Sequence, residues 1–362
     1  MKQDQEFFAD GMLVEVLTTQ PVDRLFTYKV PSAGCFKGAI VLVPFGKRIV
    51  MGLVWGASTE KIEPKKIKTI DSILEYRPIQ PELQNFIRRV ADYTVSPLYS
   101  VFRLVTRVRD IAAQEAHKRL IFRGKVPSQF KMTSARARVL ESFDQLDGTG
   151  LSISELAKLA KVSPSVINAM IPSGCLISKM QPKDLPYAAV DTSHSRSPLS
   201  EDQARVVSEL SKVLDQNAHS SILLCGVTGS GKTAVYLEAI AKVIDSGRQA
   251  LVLLPEIALT GEFTERLKAR FGVYPAEWHS GISQSERRRV WKMVGRGHAQ
   301  IVVGARSALF LPFESLGLIV VDEEHDSSYK QQDGVLYNAR DMAVLRASLA
   351  NAKVILASAT PS

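Results

Sequence analysis

The chain has 362 residues, more than one ordinary domain core accommodates, so we expect two to three folding units. Its composition, 45% hydrophobic and 23% charged, is that of a globular protein and excludes a disordered or fibrous chain. Lys and Arg outnumber Asp and Glu by 46 to 37, an excess that favours contact with polyanions such as nucleic acid or an acidic membrane surface.

The cysteines and the N-terminus indicate the compartment. Cys35, Cys175 and Cys225 are widely separated, odd in number and form no CxxC pair, so neither a disulfide framework nor a zinc knuckle is predicted. The first residues lack a basic region followed by a signal-peptide apolar run, and no stretch of about 18 consecutive apolar residues occurs. We therefore expect a cytoplasmic protein with no membrane partner.

Residues 1–115 are predicted to form a β-rich domain. Short β-branched runs, MLVEVL, FTYKV, AIVLVPFG and RIVMGLVWG, are separated by Gly and Pro, as in small all-β units. From about Pro81 to Ala116 the apolar residues fall at helical spacing. This spacing predicts two helices, split near Pro97, that can cover one face of the sheet.

Residues 116–182 show the order helix, helix, turn, helix, strand, which is typical of a winged-helix domain. In such a domain the helix that starts near Ser165 is the one that can enter a DNA groove. A protein-interaction module or a purely structural one fits the same pattern. Residues 183–199 are rich in Pro and Ser, lack periodicity and are predicted to be a linker.

In residues 200–362 apolar strands alternate with helices. The strands are SILLCGV, QALVLLP, AQIVVGA, LGLIVVD and KVILASA, and the helices start near Thr233, Thr260 and Arg340. Apolar runs without alternation are typical of a parallel sheet that is buried on both faces. The predicted fold class is α/β for this domain, within a multidomain chain.

A phosphate-binding loop follows the first of these strands. The sequence GVTGSGKT matches GxxxxGK[ST] between a strand and a helix, where backbone N–H groups and the helix N-terminus attract phosphate oxygens. Lys232 is expected to reach the β- and γ-phosphates, and Thr233 to offer its hydroxyl to Mg²⁺. The predicted nucleotide contacts from this loop are Gly226, Val227, Thr228, Gly229, Ser230, Gly231, Lys232 and Thr233.

An acidic box, DEEH, ends the strand LGLIVVD. Asp322 is expected to hold the Mg²⁺ that accompanies ATP, and Glu323 to orient or deprotonate the attacking water. Together with Lys232, these two acids are the predicted catalytic residues. In KVILASATPS, the hydroxyl residues Ser358 and Thr360 can link the nucleotide site to neighbouring elements.

The motifs GVTGSGKT, LLPEIALT, VGARSALFLPF, VDEEH and SATPS, in this order, resemble those of the first motor lobe of superfamily-2 DNA helicases, a RecA-like fold. With FTYKVP and VPFGKR near the N-terminus, nearly the whole chain is similar to the replication-restart helicases of that superfamily. The resemblance implies an ATP-dependent 3′-to-5′ DNA helicase that recognises stalled or abandoned forks and starts primosome assembly. It also implies that Gln203 contacts adenine and that a DNA-tracking face includes Pro255, Glu256, Gly304, Ala305 and Arg306.

The same resemblance implies two further DNA contacts. In the family, the β-rich domain captures the 3′ end of a nascent strand, and an aromatic-rich loop after the acidic box couples single-stranded DNA to ATP hydrolysis. Thr27 stands where the family often has an acid, which puts recognition of the 3′-hydroxyl by that position in question. Tyrosines and cations interleaved on a loop suit base stacking and phosphate contact. The implied DNA-binding residues are Phe26, Tyr28, Gly46, Lys47, Lys68, Arg306, Tyr329, Lys330, Tyr337 and Arg340.

The chain ends at Ser362, before the second lobe, its arginine motif and the cysteine-rich zinc insertion of the family. Helicase-type ATPases complete the active site with arginine from the second lobe. We therefore expect this polypeptide, a truncated motor, to bind ATP and Mg²⁺ weakly, to hydrolyse little ATP, and to lack the zinc ligands expected at full length.

Two other functions stay open. The chain can be a non-catalytic fragment that binds fork DNA or proteins, or a P-loop kinase or transporter ATPase, whose turnover would not respond to DNA. The last is disfavoured because neither a phosphoryl-transfer lid nor a transporter signature is visible. The resemblance implies forked and single-stranded DNA, other primosome proteins, single-stranded DNA-binding protein and loading factors of the replicative helicase as partners.

Overall fold

A computed structural model of the chain describes residues 6–60, 62–108, 111, 117–144, 150–255 and 261–360. The chain divides into two compact units, one formed by residues 1–112 together with 186–362 and the other by residues 113–185. The N-terminal strands and the P-loop domain therefore belong to one unit. No helix within these described stretches is long and apolar enough to cross a membrane.

The N-terminal part of the first unit is built from short strands. Six of its eight strands form one sheet, in the order β7-β3-β2-β6-β5-β8, and the other two pair with each other. Gly46, with a φ of 60°, allows the two-residue turn between β5 and β6. All four predicted strand runs are observed. The strands are β1 Phe7–Phe8, β2 Leu13–Thr18, β3 Phe26–Lys29, β4 Cys35–Phe36, β5 Ile40–Phe45, β6 Arg48–Ala57, β7 Lys68–Thr69 and β8 Ser72–Ile73.

Two helices follow the sheet, α1 Pro81–Thr94 and α2 Leu98–Val105, with the break at Pro97 as predicted. Helix α1 ends because Val95 adopts a left-handed conformation, with a φ of 49°. The apolar faces of both helices pack on the sheet, which confirms that they cover one of its faces. The buried side chains in this contact include Leu17, Ile40, Leu53, Phe86, Ile87 and Phe102.

The same helices also pack against the P-loop domain. The ring of Phe86 lies 5.3 Å from that of Phe310, centroid to centroid. Trp291 donates its indole N–H to the Val105 carbonyl at 2.8 Å, and its ring meets that of Tyr76 edge-on at 5.2 Å. Sheet, helices and P-loop domain therefore bury one continuous set of apolar side chains, called the shared core below.

Residues 113–185 form the second unit. Three helices stand beside an antiparallel pair of strands, around a core that includes Ile121, Val139, Leu156, Ile167 and Leu176. The strand before the helices was not predicted, because its basic residues interrupt the apolar pattern. The elements are β9 His117–Arg123, α3 Ser134–Glu141, α4 Ile153–Ala160, α5 Pro164–Met170 and β10 Leu176–Pro182.

The P-loop domain has a six-stranded sheet in the order β11-β16-β15-β12-β14-β13, and all of its strand pairs are parallel. The predicted α/β fold is therefore confirmed, while helices α6 and α9 were not predicted. The elements are α6 Glu201–Leu214, β11 Ser220–Cys225, α7 Lys232–Asp245, β12 Gln249–Leu253, α8 Gly261–Phe271, β13 Ala276–Trp278, α9 Gln284–Gly295, β14 Ile301–Gly304, β15 Leu316–Asp322, α10 Ala339–Leu349 and β16 Lys353–Ser358.

The predicted linker, residues 183–199, contains neither helix nor strand, yet it is bonded to the P-loop domain. The Thr192 hydroxyl donates to Asp245 at 2.7 Å, and the Arg270 guanidinium donates to the Thr192 carbonyl at 2.8 Å. These bonds hold the segment against α7 and α8, so a freely moving tether is not what the structure shows.

We expect Phe86→Ala to lower the free energy of unfolding of the first unit by about 3–4 kcal/mol, because it opens a cavity in the shared core. Tryptophan fluorescence during urea unfolding measures this unit alone, since all three tryptophans, Trp55, Trp278 and Trp291, lie in it. The control is Phe7→Ala. The Phe7 side chain is 51% exposed, so its removal should lower the free energy of unfolding by less than about 1 kcal/mol. Equal losses in the two variants would contradict the shared core.

Candidate nucleotide and DNA sites

The parallel sheet brings the phosphate-binding loop and the acidic box to one edge. Strand β16 lies between β11, which leads into the loop, and β15, which ends at Asp322. The Gly226 N–H donates to the Ser358 carbonyl at 3.2 Å, which ties the start of the loop to the end of β16. Loops that follow neighbouring parallel strands form the usual ligand site of such sheets.

Glycines allow the tight turn of the loop. Gly229 and Gly231 have φ values of 82° and 80°, which side-chain-bearing residues rarely adopt. A Cβ atom on Gly231 would lie 2.2 Å from the Gln203 side-chain nitrogen. That nitrogen donates to the Ser230 carbonyl at 2.8 Å, so Gln203 lies against the loop. Its contact with adenine remains a prediction.

Lys232 begins helix α7, and its side chain folds back over the loop. Its ammonium group donates to the Gly226 carbonyl at 2.8 Å and to the Val227 carbonyl at 3.4 Å. Phosphate oxygens are stronger acceptors than these carbonyls and can replace them. The ammonium group is thus already held at the loop to which phosphates would bind.

The carboxylate of Asp322 is held on both oxygens. Oδ1 accepts the N–H of Glu323 at 3.1 Å, and Oδ2 accepts the Tyr236 hydroxyl at 2.9 Å. Burial raises the pKa of Asp322, while the Tyr236 hydroxyl opposes this by stabilising the carboxylate. Glu323 has a φ of 46°, a conformation that costs a non-glycine residue about 1–3 kcal/mol. Both acids nevertheless line one cavity.

A cavity of about 640 Å³ lies at this edge. This volume is within the usual range for small-molecule and cofactor sites. The Thr233 hydroxyl and the Asp322 and Glu323 carboxylates are the oxygen ligands that Mg²⁺ prefers, so the side chains present fit the metal. The lining residues are Ser195, Ser197, Leu199, Thr228, Gly229, Gly231, Lys232, Thr233, Ala234, Leu237, Glu238, Arg266, Ala269, Arg270, Asp322 and Glu323.

A hydrogen bond connects the acidic box to the last strand. His325 Nδ1 lies 2.8 Å from the hydroxyl of Ser358, which is fully buried and also accepts the Thr360 N–H at 3.2 Å. The segment SAT is thus in contact with the acidic box, as its sequence position suggests.

The residues implied for the 3′ DNA end differ in exposure. Tyr28 is 4% exposed and donates its hydroxyl to the Pro44 carbonyl at 3.2 Å, so its ring is part of the core rather than a DNA-stacking surface. Phe26 is half-buried, edge-on to Phe45 at 5.2 Å. Lys47 is exposed in the β5–β6 turn. Lys68 donates to the Gly46 carbonyl at 3.2 Å, which places it beside that turn.

The structure contradicts the prediction that Tyr329 and Tyr337 stack on DNA bases. These rings are only 1% and 5% exposed. The Tyr329 hydroxyl lies 2.6 Å from the Asp322 carbonyl and 3.0 Å from the Leu253 carbonyl, while Tyr337 packs on Phe310 in the shared core. Exposing either ring to DNA bases would cost the free energy of this burial. Both tyrosines are therefore packing residues of the shared core rather than stacking surfaces.

Arg340 is also not available as a simple phosphate contact. Its guanidinium donates to Glu324, which is 4% exposed, at 3.1 Å and to Asp341 at 2.9 Å. Moving it to a phosphate would break an ion pair with a buried carboxylate, which is costly. Arg340 therefore anchors the start of α10 to the acidic box.

Arg306 and Lys330 are brought together, since the Arg306 guanidinium donates to the Lys330 carbonyl at 2.6 Å. Both line a surface groove of about 280 Å³ with Ser327, Ser328, Gln331, Gln332 and Asp333. Among the other implied tracking residues, Gly304 ends β14 and Ala305 is 6% exposed, whereas Glu256 lies outside the described residues. DNA contact in this groove remains a prediction.

Several side chains of the nucleotide site were not predicted. Ser195, Ser197 and Leu199 belong to the predicted linker and carry no local signal. Tyr236 could have been found from its sequence position. It stands three residues after Thr233 and therefore lies on the same face of α7.

The strand-loop-helix geometry after β11 and the acidic box at the end of β15, at the same edge of the sheet, are typical of a P-loop helicase lobe. Comparison with known families agrees, since residues 200–362 match the DEAD/DEAH box helicase family. Residues 15–107 match the 3′ DNA-binding domain (3′BD) family of PriA.

The relatives extend this match. Replication restart protein PriA of Bacillus subtilis is 30% identical over 97% of this chain and 53% of its own length. Replication restart protein PriA of Haemophilus influenzae is 34% identical over 97% of this chain and 49% of its own length. The Rickettsia prowazekii protein is 46% identical over 45% of this chain and 24% of its own length. The chain corresponds to the N-terminal part of a PriA-type superfamily-2 helicase, and it spans about half the length of the first two relatives. The solved structure of the DUF1998 helicase MrfA matches 46% of this chain and 27% of its own chain, with 23% sequence identity and a TM-score of 0.34.

We expect Gly231→Ala to weaken nucleotide binding at least about tenfold, because the φ of 80° becomes strained in the phosphate-binding loop and the added methyl group displaces the Gln203 amide from that loop. Fluorescent ADP titration measures the affinity. Gly247→Ala is the matched control, since Gly247 has a φ of 77° and open space around it. Its affinity should stay within about twofold of the unchanged protein, apart from any stability loss. Equal affinity losses in both variants would contradict the site.

Proposed function

We propose that this chain supplies the nucleotide-binding and DNA-binding part of an ATP-dependent 3′-to-5′ DNA helicase that restarts replication at stalled or abandoned forks. The observation that carries the proposal is the single cavity lined by Lys232, Thr233, Asp322 and Glu323. The match of residues 15–107 to a 3′ DNA-binding domain and the PriA relatives support the DNA half.

Each side chain has a distinct role in the proposed site. The loop N–H groups and the Lys232 ammonium bind the phosphates of ATP. Thr233 and Asp322 would hold Mg²⁺, which, when bound, offsets the negative charge between the β- and γ-phosphates. Glu323 orients the attacking water and accepts its proton. The backbone at Glu323 is strained, as is common at functional sites.

For DNA, we propose two surfaces within the first unit. The turn that carries Lys47, with Lys68 beside it, would bind the 3′ end of a nascent strand, and Phe26 borders it. The Arg306–Lys330 groove would bind single-stranded DNA. The second unit is proposed to be a winged helix, on the basis of its three helices and antiparallel strand pair. Primosome proteins would be further partners.

The hydroxyl of Thr27 also bears on the 3′ end. It donates to the Glu60 carboxylate at 2.9 Å, so an acid lies beside the position at which the family often has one.

We expect the chain to bind a fork with a 3′-hydroxyl at the branch at least about tenfold more tightly than a plain duplex of equal length. Replacing Lys47 and Lys68 by Ala should remove about one decade of fork affinity and flatten its salt dependence, because phosphate contacts are lost. Fluorescence anisotropy at two salt concentrations measures both effects.

The control is Lys212→Ala, which removes an exposed positive charge on α6, away from these surfaces. Its fork affinity should match that of the unchanged protein within about twofold. Equal affinity for fork and duplex would overturn the fork half of the proposal.

A further inference from the structure

Tyr236 lies in α7, one helical turn after Thr233, and is fully buried. Its hydroxyl donates to Asp322 Oδ2 at 2.9 Å. Thr233 stands three positions before Tyr236, on the same face of α7. The Tyr236 hydroxyl therefore ties Asp322, one of the two side chains that would hold the metal, to the helix that carries the other.

The direction of this bond follows from its partners. An ionised carboxylate only accepts, so the Tyr236 hydroxyl is the donor to Asp322. The remaining lone pairs of the Asp322 carboxylate are then available for a cation.

The Asp322 carboxylate has little freedom in this arrangement, since Oδ1 also accepts the Glu323 N–H at 3.1 Å. A metal ligand that is held in place by hydrogen bonds loses less motion on binding than a free one, and such outer partners tune affinity.

We propose that Tyr236 is a positioning residue for the Mg²⁺ that accompanies ATP, because its hydroxyl sets the orientation of the Asp322 carboxylate. The proposal rests on the nucleotide-binding function proposed above. Tyr236 acts through this ligand rather than as a ligand itself.

The test is Tyr236→Phe in the full chain, which removes one oxygen atom and keeps the ring. Fluorescent ADP is titrated with Mg²⁺ present and, separately, with EDTA, and the ratio of the two affinities isolates the metal. We expect this ratio to fall about fivefold or more, while the affinity in EDTA stays within about twofold.

Tyr329→Phe is the matched control. It also removes a buried phenol hydroxyl, but that hydroxyl contacts the main-chain carbonyls of Leu253 and Asp322 rather than the carboxylate. Its Mg²⁺ ratio should remain within about twofold of the unchanged protein. In an Asp322→Asn background, Tyr236→Phe should change the ratio no further, because both act on the same ligand.

Each other outcome contradicts the proposal. An unchanged ratio in Tyr236→Phe, an equal fall in Tyr329→Phe, or a loss of ADP affinity in EDTA with a lower unfolding temperature would assign Tyr236 a purely structural role. If the unchanged protein bound no nucleotide at all, the proposed function itself would fail, which is a different result from an unaffected ratio.

Discussion

The parallel alignment of β11, β16 and β15 is the constraint on which the site depends. Because these strands run in one direction, the loop after β11 and the acid at the end of β15 emerge at the same edge. The strand β15 is apolar and buried up to Asp322, so the carboxylate stands where the apolar environment ends. Helix α7 begins at that edge and presents Lys232, Thr233 and, one turn later, Tyr236.

The shared core extends this arrangement to the N-terminal sheet. Phe86 of α1 packs on Phe310, and Phe310 packs on Tyr337, with ring centroids 5.3 and 5.4 Å apart. Tyr329 belongs to the same shared core and donates its hydroxyl to the Asp322 carbonyl at 2.6 Å. The shared core therefore reaches from the region that matches a 3′ DNA-binding domain to the acidic box.

Short-range patterns predicted much of this structure. The loop GVTGSGKT is recognisable because its glycines, its lysine and the flanking strand and helix are contiguous in sequence. Continuous apolar runs predicted the parallel strands for the same reason. Helix α9 was missed because its first half is strongly charged and its buried residues, Val290–Val294, form one consecutive run instead of falling at helical spacing.

The errors concern partners that are distant in sequence. Tyr329 and Tyr337 stand in a polar segment, so the sequence pattern suggests a surface loop. Their burial depends on contacts with Leu253 and Phe310, which are distant in sequence. Arg340 looked like a phosphate contact because its partner Glu324 lies 16 positions earlier. The predicted linker carries no periodicity, so its bonds to Asp245 and Arg270 could not be foreseen.

Lys232 and Asp322 are proposed to belong to one site for nucleotide and metal. Calorimetric titration of ATP and Mg²⁺ into residues 1–362, and into the double variant Lys232→Ala and Asp322→Ala, tests this arrangement. We expect saturable binding of one ATP per chain that is lost in the double variant while the fold is retained. Binding that persists in the double variant, or its absence from the unchanged chain, would contradict it.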